Sequence, residues 1–222
     1  MLKKMSIGKV YSVLKNRILN CEYKPGQLIF EKEIVDELKV SRTPVREALS
    51  ILNGEGLLIL IPKRGAQIAP LSIKRIRQVY EIRKLLEPLS IKQAIKSIKN
   101  SNIEDLTELI NTLRKSVSNS NTVEIFGYGM DIHLYIANLS GNEILVKILR
   151  ILREESYRGC VYYLRQYIDR CSADERKTVE KNIVENHSKF VEALKAGDEY
   201  AAIKYVIEDL DIFNQFAEEI NI

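Results

Sequence analysis

The stretch that decides the fold is SRTPVRE, Ser41–Glu47. It has the features of a helix start, because Ser41 or Thr43 can cap the first turn. Pro44 fits there too, since the nitrogen at that position needs no intrahelical partner. Apolar residues then recur at helical spacing, at Val45, Leu49 and Leu52. We therefore predict a helix that begins near Ser41 and ends at the two glycines that follow Asn53.

The segments on either side of this helix complete a recognisable arrangement. A sharp break at Lys39-Val40 separates it from the helix before it, and Pro62–Gly65 forms a tight turn after it. The neighbouring elements are predicted as helices in Gly8–Asn20 and Glu31–Leu38 and strands at Leu57–Ile61 and Ala66–Ala69. Two helices joined by a sharp turn and followed by a β-hairpin make a winged helix-turn-helix over residues 1–70.

The rest of the chain, residues 71–222, has no convincing strand signal and shows repeated helix starts after a linker at Pro70-Leu71-Ser72. We expect roughly six helices there. The fold class is therefore mainly α: an N-terminal winged helix-turn-helix domain (1–70) and a C-terminal all-α helical bundle (71–222).

Charge is distributed unevenly between these two parts. The net charge of the chain is +4. Residues 1–70 hold 12 Lys+Arg and 7 Asp+Glu, hence +5, and the remaining 22 and 23 give −1. The basic N-terminal domain, residues 1–70, is called the head below, and the nearly neutral C-terminal domain, residues 71–222, is called the body. A basic head on a neutral body is the asymmetry expected of a nucleic-acid-binding protein.

Composition excludes several other classes. The longest apolar run, Leu57–Ile61, is far shorter than the roughly 20 residues that a bilayer span needs. The three cysteines include no CxxC pair, which argues against a disulfide framework or a zinc ribbon and fits a reducing cytoplasm. We expect a cytoplasmic protein with no membrane partner and no signal peptide.

The residues of the predicted head suit DNA. Arg42 and Arg46 are four apart and share a helix face away from the apolar stripe, so their guanidiniums can fork onto guanine edges or bind phosphates. Ser41 and Thr43 add hydroxyls beside helix N-terminal amides that suit phosphate. Further candidates are Lys32 on the preceding helix and Lys63, Arg64 and Gly65 at the tip of the wing. The alternative is a solvated arginine pair beside a basic hairpin.

Three metal-competent side chains lie among apolar residues of separate helices in the body. They are His133, His187 and Asp209, and the chain has no other histidine. A bundle would project all three into one interior, where two imidazoles and a carboxylate suit a divalent transition metal such as Zn²⁺. The alternative is that each is a hydrogen-bonded core residue.

An enzyme is the rival class of function, because His133, His187 and Asp209 could form a two-histidine, one-carboxylate centre with open positions. No acid–base residue accompanies them in a recognisable motif, and an enzyme leaves the basic head unexplained. We therefore expect no enzymatic activity. A constitutive architectural DNA binder, which would need no pocket, is a third possibility.

Arg83 is the candidate effector-binding residue. It lies beside an apolar face formed by Val79 and Leu86, and a buried guanidinium binds a carboxylate bidentately. A small carboxylate is therefore the expected effector. The alternative is a salt bridge from Arg83 to Glu87, four residues further on.

The head resembles the GntR family of bacterial regulators. The matching stretches are Pro25-Gly26-x-Leu28, Val40–Leu49, Gly54–Leu57 and Pro62–Ala66. The resemblance implies DNA contacts at Lys32, Ser41, Arg42, Thr43, Arg46, Arg64 and Gly65. One departure is Lys39, which stands where the family usually has glycine. Lys39 would then need a left-handed conformation, which costs about 1 kcal/mol.

The body resembles the FCD effector domain of the FadR-like subfamily. The matching residues are Tyr80–Glu87, His133 with Gly141-Asn142, Glu185-x-His187 and Gly197–Ala201. The resemblance implies a metal held by one Asp and three His. Here Gly129 stands at the Asp position and Asp209 at the third His position, and Asp131 lies on the wrong helical face to replace the lost ligand.

Together these features predict a sequence-specific, DNA-binding transcriptional regulator. We expect a homodimer that binds a palindromic operator, with residues 71–222 providing both the effector site and the dimer contacts. An effector in the helical domain would change the affinity of the heads for DNA, most simply as a ligand-responsive repressor.

Overall fold

The computed structural model describes residues 5–62, 64–98, 100–117 and 122–219. The chain forms two compact units, the first ending at Ser72 and the second beginning at Ile73.

The first unit packs three helices against a small antiparallel sheet. Its elements are α1 (Ile7–Leu19), β1 (Leu28–Ile29), α2 (Glu31–Leu38), α3 (Arg42–Gly54), β2 (Leu58–Ile61) and β3 (Gly65–Ile68). The strand order is β1-β3-β2, with Leu60 opposite Ala66 and Ile29 opposite Ala66 on its other side. This arrangement is the winged helix-turn-helix that the sequence predicted.

Helical spacing of apolar residues explains how the three helices share one core. Val10, Leu14 and Ile18 of α1 are fully buried, as is the predicted stripe on α3. Burial of a side chain of this size contributes about 1.5–3 kcal/mol. The helix α2 ends at Lys39, whose φ of +56° is the left-handed conformation expected there.

The strand β1 was not predicted from the sequence. Leu28 and Ile29 pair with Gln67 and Ala66 of β3, and two residues are too few to show an alternating pattern. The presence of β1 gives Gly65 a structural role besides its predicted contact with DNA. Its φ is +100°, and a Cβ atom on it would lie 2.4 Å from the carbonyl oxygen of Ile29. Glycine is therefore needed where the wing passes closest to β1.

We expect Gly65→Ala to destabilise the head by about 2–3 kcal/mol, because alanine combines an unfavourable φ with a backbone clash that no rotamer relieves. Thermal unfolding followed by circular dichroism measures the loss. Gly26→Ala is the matched control, since Gly26 also has positive φ but a Cβ atom on it would meet nothing within 4 Å. An equal loss in both variants would contradict the clash.

The second unit is a helical bundle, as predicted. Its helices are α4 (Ile73–Ala94), α5 (Asn100–Val117), α6 (Thr122–Leu139), α7 (Glu143–Ile168), α8 (Ala173–Lys195) and α9 (Glu199–Glu219). The helix α4 contacts α6, α7 and α9, and α8 contacts α5, α6 and α9. Three helices, α6, α8 and α9, thus supply the interior where the candidate metal ligands lie. No helix in the described part of the chain is long and apolar enough to cross a membrane.

Candidate nucleic-acid interface and metal centre

A groove of about 640 Å³ runs between α2, α3 and the wing, which is the hairpin formed by β2 and β3. Five of the predicted DNA contacts line it: Lys32, Arg42, Arg46, Arg64 and Gly65. They come from three elements that are adjacent only because the turn at Lys39 and the hairpin fold α2 and the wing onto α3. A concave surface that collects cations suits a polyanion.

The remaining predicted contacts lie at the start of α3. Ser41 takes the extended conformation of a helix cap, but its side chain makes no capping hydrogen bond, so its hydroxyl can face a phosphate. Thr43 is exposed in the first turn of α3. Lys63, which the sequence predicts at the tip of the wing, lies outside the described residues.

Glu31, the first residue of α2, was missed as a functional residue in the sequence. Its carboxylate accepts a hydrogen bond from Nε of Arg46 at 2.8 Å. Among the described residues that line the groove, Glu31 is the only acid. An acidic residue at the start of a predicted helix indicates helix stabilisation. Only the angle between α2 and α3 reveals that Glu31 also binds Arg46.

The second site is a buried cluster in the bundle, formed by His133 of α6, His187 of α8 and Asp209 of α9. Nε2 of His133 lies 3.2 Å from Nε2 of His187 and 3.1 Å from a carboxylate oxygen of Asp209. One ligand atom from each residue lies within 4.8 Å of the others. Both imidazoles are buried.

The other ring nitrogens fix the tautomers of both imidazoles. Nδ1 of His133 donates to Glu87 Oε2 at 2.7 Å, and Nδ1 of His187 donates to the carbonyl oxygen of Ile183 at 2.9 Å. Two neutral imidazoles held this way would point two lone pairs at each other and at the Asp209 carboxylate. The cluster therefore requires a cation at its centre, either a proton or a metal ion.

The spacing fits a metal ion. Two donors bound tetrahedrally to Zn²⁺ at about 2.0–2.1 Å lie about 3.3 Å apart, close to the 3.2 Å and 3.1 Å that separate Nε2 of His133 from Nε2 of His187 and from the Asp209 carboxylate oxygen. Outer hydrogen bonds from each imidazole to a carboxylate or a carbonyl are also typical of metal-bound histidines. His133, His187 and Asp209 would hold the ion, which would supply a positive charge and open positions for an anionic ligand.

The position of the fourth family ligand is filled by a neighbouring ring. A Cβ atom on Gly129 would lie 2.7 Å from Nε2 of His187, so the imidazole occupies the space that a side chain would take. Asp131 forms an ion pair with Arg153 and does not join the cluster. The described part of the chain therefore offers three protein ligands at this cluster.

The same geometry lets a proton take the place of the metal. Burial lowers the pKa of His133, but the carboxylates of Glu87 and Asp209 outweigh it and raise this pKa to about 9. Burial lowers the pKa of His187, and the nearby His133 charge lowers it further. Protonation of His133 and metal binding thus compete for the same lone pair.

Arg83 lies next to this cluster and is 2% exposed. Its Nε donates to Glu87 Oε1 at 2.6 Å and its Nη1 donates to the hydroxyl of Ser156 at 3.1 Å. Its guanidinium also lies over the ring of Tyr80. The salt bridge to Glu87 that the sequence allowed is thus present, and contact with an effector stays a prediction.

Glu87 joins the two predicted sites, because one carboxylate oxygen binds Arg83 and the other binds His133. The i, i+4 spacing from Arg83 indicated the first bond. The second joins residues 46 apart in the chain, and no local pattern signals it.

Comparison with known proteins agrees with both units. Residues 7–68 match the bacterial regulatory proteins of the gntR family, and residues 78–211 match the FCD domain. An HTH-type transcriptional regulator of Bacillus subtilis, YdhC, is 27% identical over 89% of this chain and 84% of its own length. The gluconate operon transcriptional repressor of the same species is 25% identical over 99% of this chain and 88% of its own.

Solved structures share the fold. Escherichia coli McbR/YncC aligns with a TM-score of 0.79 at 21% identity, covering 96% of this chain and 98% of that one. The Listeria monocytogenes regulator Lar aligns with a TM-score of 0.65 at 18% identity, covering 98% of each chain. These neighbours share the fold of the winged head and the fold of the helical body.

Proposed function

Because the chain belongs to the GntR family of bacterial regulatory proteins and carries an FCD domain, we propose that it is a ligand-responsive repressor that binds a palindromic operator as a homodimer. It is a DNA-binding transcriptional regulator and not an enzyme. The observation that carries the proposal is the groove in which Lys32, Arg42, Arg46 and Arg64 meet. The gluconate operon repressor, similar over nearly the whole chain, supports repression.

An apolar surface on the bundle supports the homodimer. Exposed apolar residues lie at helical spacing on α4 at Ile82, Leu85 and Leu89 and on α7 at Ile144, Ile148 and Ile151. These two helices pack together through Leu86, Leu145 and Leu149. Leu85 is 71% exposed and Ile144 69%. Water contact over such a stripe is unfavourable, and a second copy would cover it isologously.

Selection from a random duplex pool tests the proposal directly. The full chain should enrich an inverted repeat whose half-sites lie about one helical turn apart, and the complex should contain two chains per duplex by native mass spectrometry. A Leu85→Glu/Ile151→Glu variant should be monomeric and bind the repeat more weakly. Enrichment of no sequence, or tight binding by a wild-type monomer, would contradict the proposal.

The sensor part of the proposal places a divalent metal and a small carboxylate in the bundle, on the cluster and Arg83. We test it with a panel of small carboxylic acids, including gluconate, added to the protein on its enriched duplex. At least one acid should lower DNA affinity and raise the unfolding temperature, and Arg83→Met should abolish both effects. A constitutive architectural binder would show neither effect with any acid.

Metal binding should appear as added stability. Zn²⁺ at 100 times its dissociation constant should stabilise the wild type by about 2.7 kcal/mol, because only the folded chain assembles the cluster. His187→Gln should lose this gain, whereas Glu185→Gln, which changes an exposed acid on the same helix, should keep it. Elemental analysis of both variants is the second measurement. Equal zinc content and equal stabilisation in both variants would reject the site.

A further inference from the structure

Arg46 is held by one edge of its guanidinium. Its Nε donates to Glu31 at 2.8 Å, while its side chain stays 64% exposed. Among the described residues, neither terminal amino group of Arg46 has a hydrogen-bond partner. The two terminal amino groups form a fork that matches two acceptors side by side, such as O6 and N7 of guanine.

Glu31, the acid that binds Arg46, lowers the affinity of the groove for DNA. The groove otherwise presents basic and apolar residues to a polyanion, and Glu31 adds a negative charge beside Arg42 and Arg46. A carboxylate in such a place weakens phosphate binding. Its place in the first turn of α2 offsets part of this cost by stabilising the helix, and the one hydrogen bond and ion pair that its carboxylate makes among described residues is to Nε of Arg46.

We propose that Glu31 is a specificity-determining positioning residue: it anchors Arg46 at Nε so that the terminal fork reads a base edge and is kept off the phosphate backbone. This inference rests on the proposed DNA-binding function and assigns one residue within it. An unanchored arginine would turn to the nearest phosphate, because that contact needs no fixed orientation. The side chain of Arg46 is therefore ordered in the free protein, and this preorganisation favours discrimination between base sequences.

The proposal makes an unusual prediction: Glu31→Gln should bind random DNA more tightly and its preferred sequence less selectively. Release of Arg46 to the backbone adds about one phosphate contact, so the salt slope should steepen by about 0.9 and non-specific affinity at 0.15 M salt should rise about fivefold. Loss of one forked base contact should cut the ratio of specific to non-specific affinity at least about tenfold. A purely structural residue would not move these two quantities in opposite directions.

The experiment uses the full chain, the duplex enriched by the wild type and a scrambled duplex of equal length, with fluorescence anisotropy across a salt series. Glu33→Gln is the matched control, because Glu33 is an exposed acid in the same turn of α2. It should change neither the ratio nor the salt slope appreciably. Selection should show relaxed preference at one position per half-site for Glu31→Gln alone.

Arg46→Lys completes the test, because lysine keeps the charge but has no fork. It should lose the same discrimination as Glu31→Gln, and adding Glu31→Gln to it should change the ratio no further. If Glu31→Gln keeps the wild-type ratio, or lowers it equally in the lysine background, the positioning role is wrong. If the wild type itself prefers no sequence, the proposed function fails first, and this role fails with it.

Discussion

The Arg42→Ala/Arg46→Ala variant is expected to lose at least about a hundredfold in affinity for the enriched duplex, because a bidentate arginine–guanine contact contributes about 1–3 kcal/mol. Both side chains are exposed and share one face of α3. Their removal leaves the core of the head intact, so the unfolding temperature should stay close to that of the wild type. Fluorescence anisotropy on the duplex measures the binding loss.

The control for this variant must remove the same charge elsewhere on the head. Lys9 on α1 and Lys24 in the following loop are exposed and do not line the groove. The Lys9→Ala/Lys24→Ala variant should lose less than about tenfold, through the general field alone. If both double variants lose affinity equally, binding would follow net charge, and α3 would have no recognition role.

The largest effect on stability is expected from Glu87→Gln, at about 3–5 kcal/mol, because it leaves the buried Arg83 guanidinium without its counter-charge. The amide oxygen of glutamine can still accept the hydrogen bond from Nδ1 of His133. The loss therefore reports removal of the carboxylate charge that faces Arg83 and His133, with the orientation of the imidazole kept. Urea unfolding followed by circular dichroism, which is dominated by the helical body, gives the free energy of unfolding.

Two further variants decide whether the ion pair is the cause. Arg83→Met/Glu87→Gln removes the orphaned cation as well and should recover most of the loss. Glu81→Gln changes an exposed acid on the same helix and should cost less than about 0.5 kcal/mol. A double variant no more stable than Glu87→Gln would mean that the buried charge is not what destabilises the chain.

Much of the head could be predicted because its signals are local. The helix α2 has the bounds that periodicity indicated, Glu31–Leu38, and Lys39 takes the left-handed turn. Helix α3 begins one residue after its predicted start. The strand β1 was not predicted because two residues are too few to show a periodic pattern. The requirement for glycine at position 65 was therefore not predicted either, since the atom that a Cβ would meet is the carbonyl oxygen of Ile29. Gly65 and Ile29 are 36 residues apart in the chain, so no local pattern signals their contact.

The bundle was predictable in a different way. A histidine or aspartate within an apolar helix face must point inward, so the meeting of His133, His187 and Asp209 followed from three separate faces. The partners of these residues did not follow. The contact of Glu87 with His133 is set by how α4 packs against α6, and Glu31 reaches Arg46 through the angle between two helices. Such pairings depend on tertiary packing and carry no pattern of their own.

Hydroxyl-radical footprinting of the full chain on its enriched duplex tests the central claim most directly. If one recognition helix enters each half-site of an inverted repeat, protection should fall in two symmetric blocks about one helical turn apart. Removal of the wing cation by Arg64→Ala should weaken the protection that flanks each block. A single asymmetric block, or protection that does not depend on the sequence of the duplex, would contradict the account of a paired, groove-reading head.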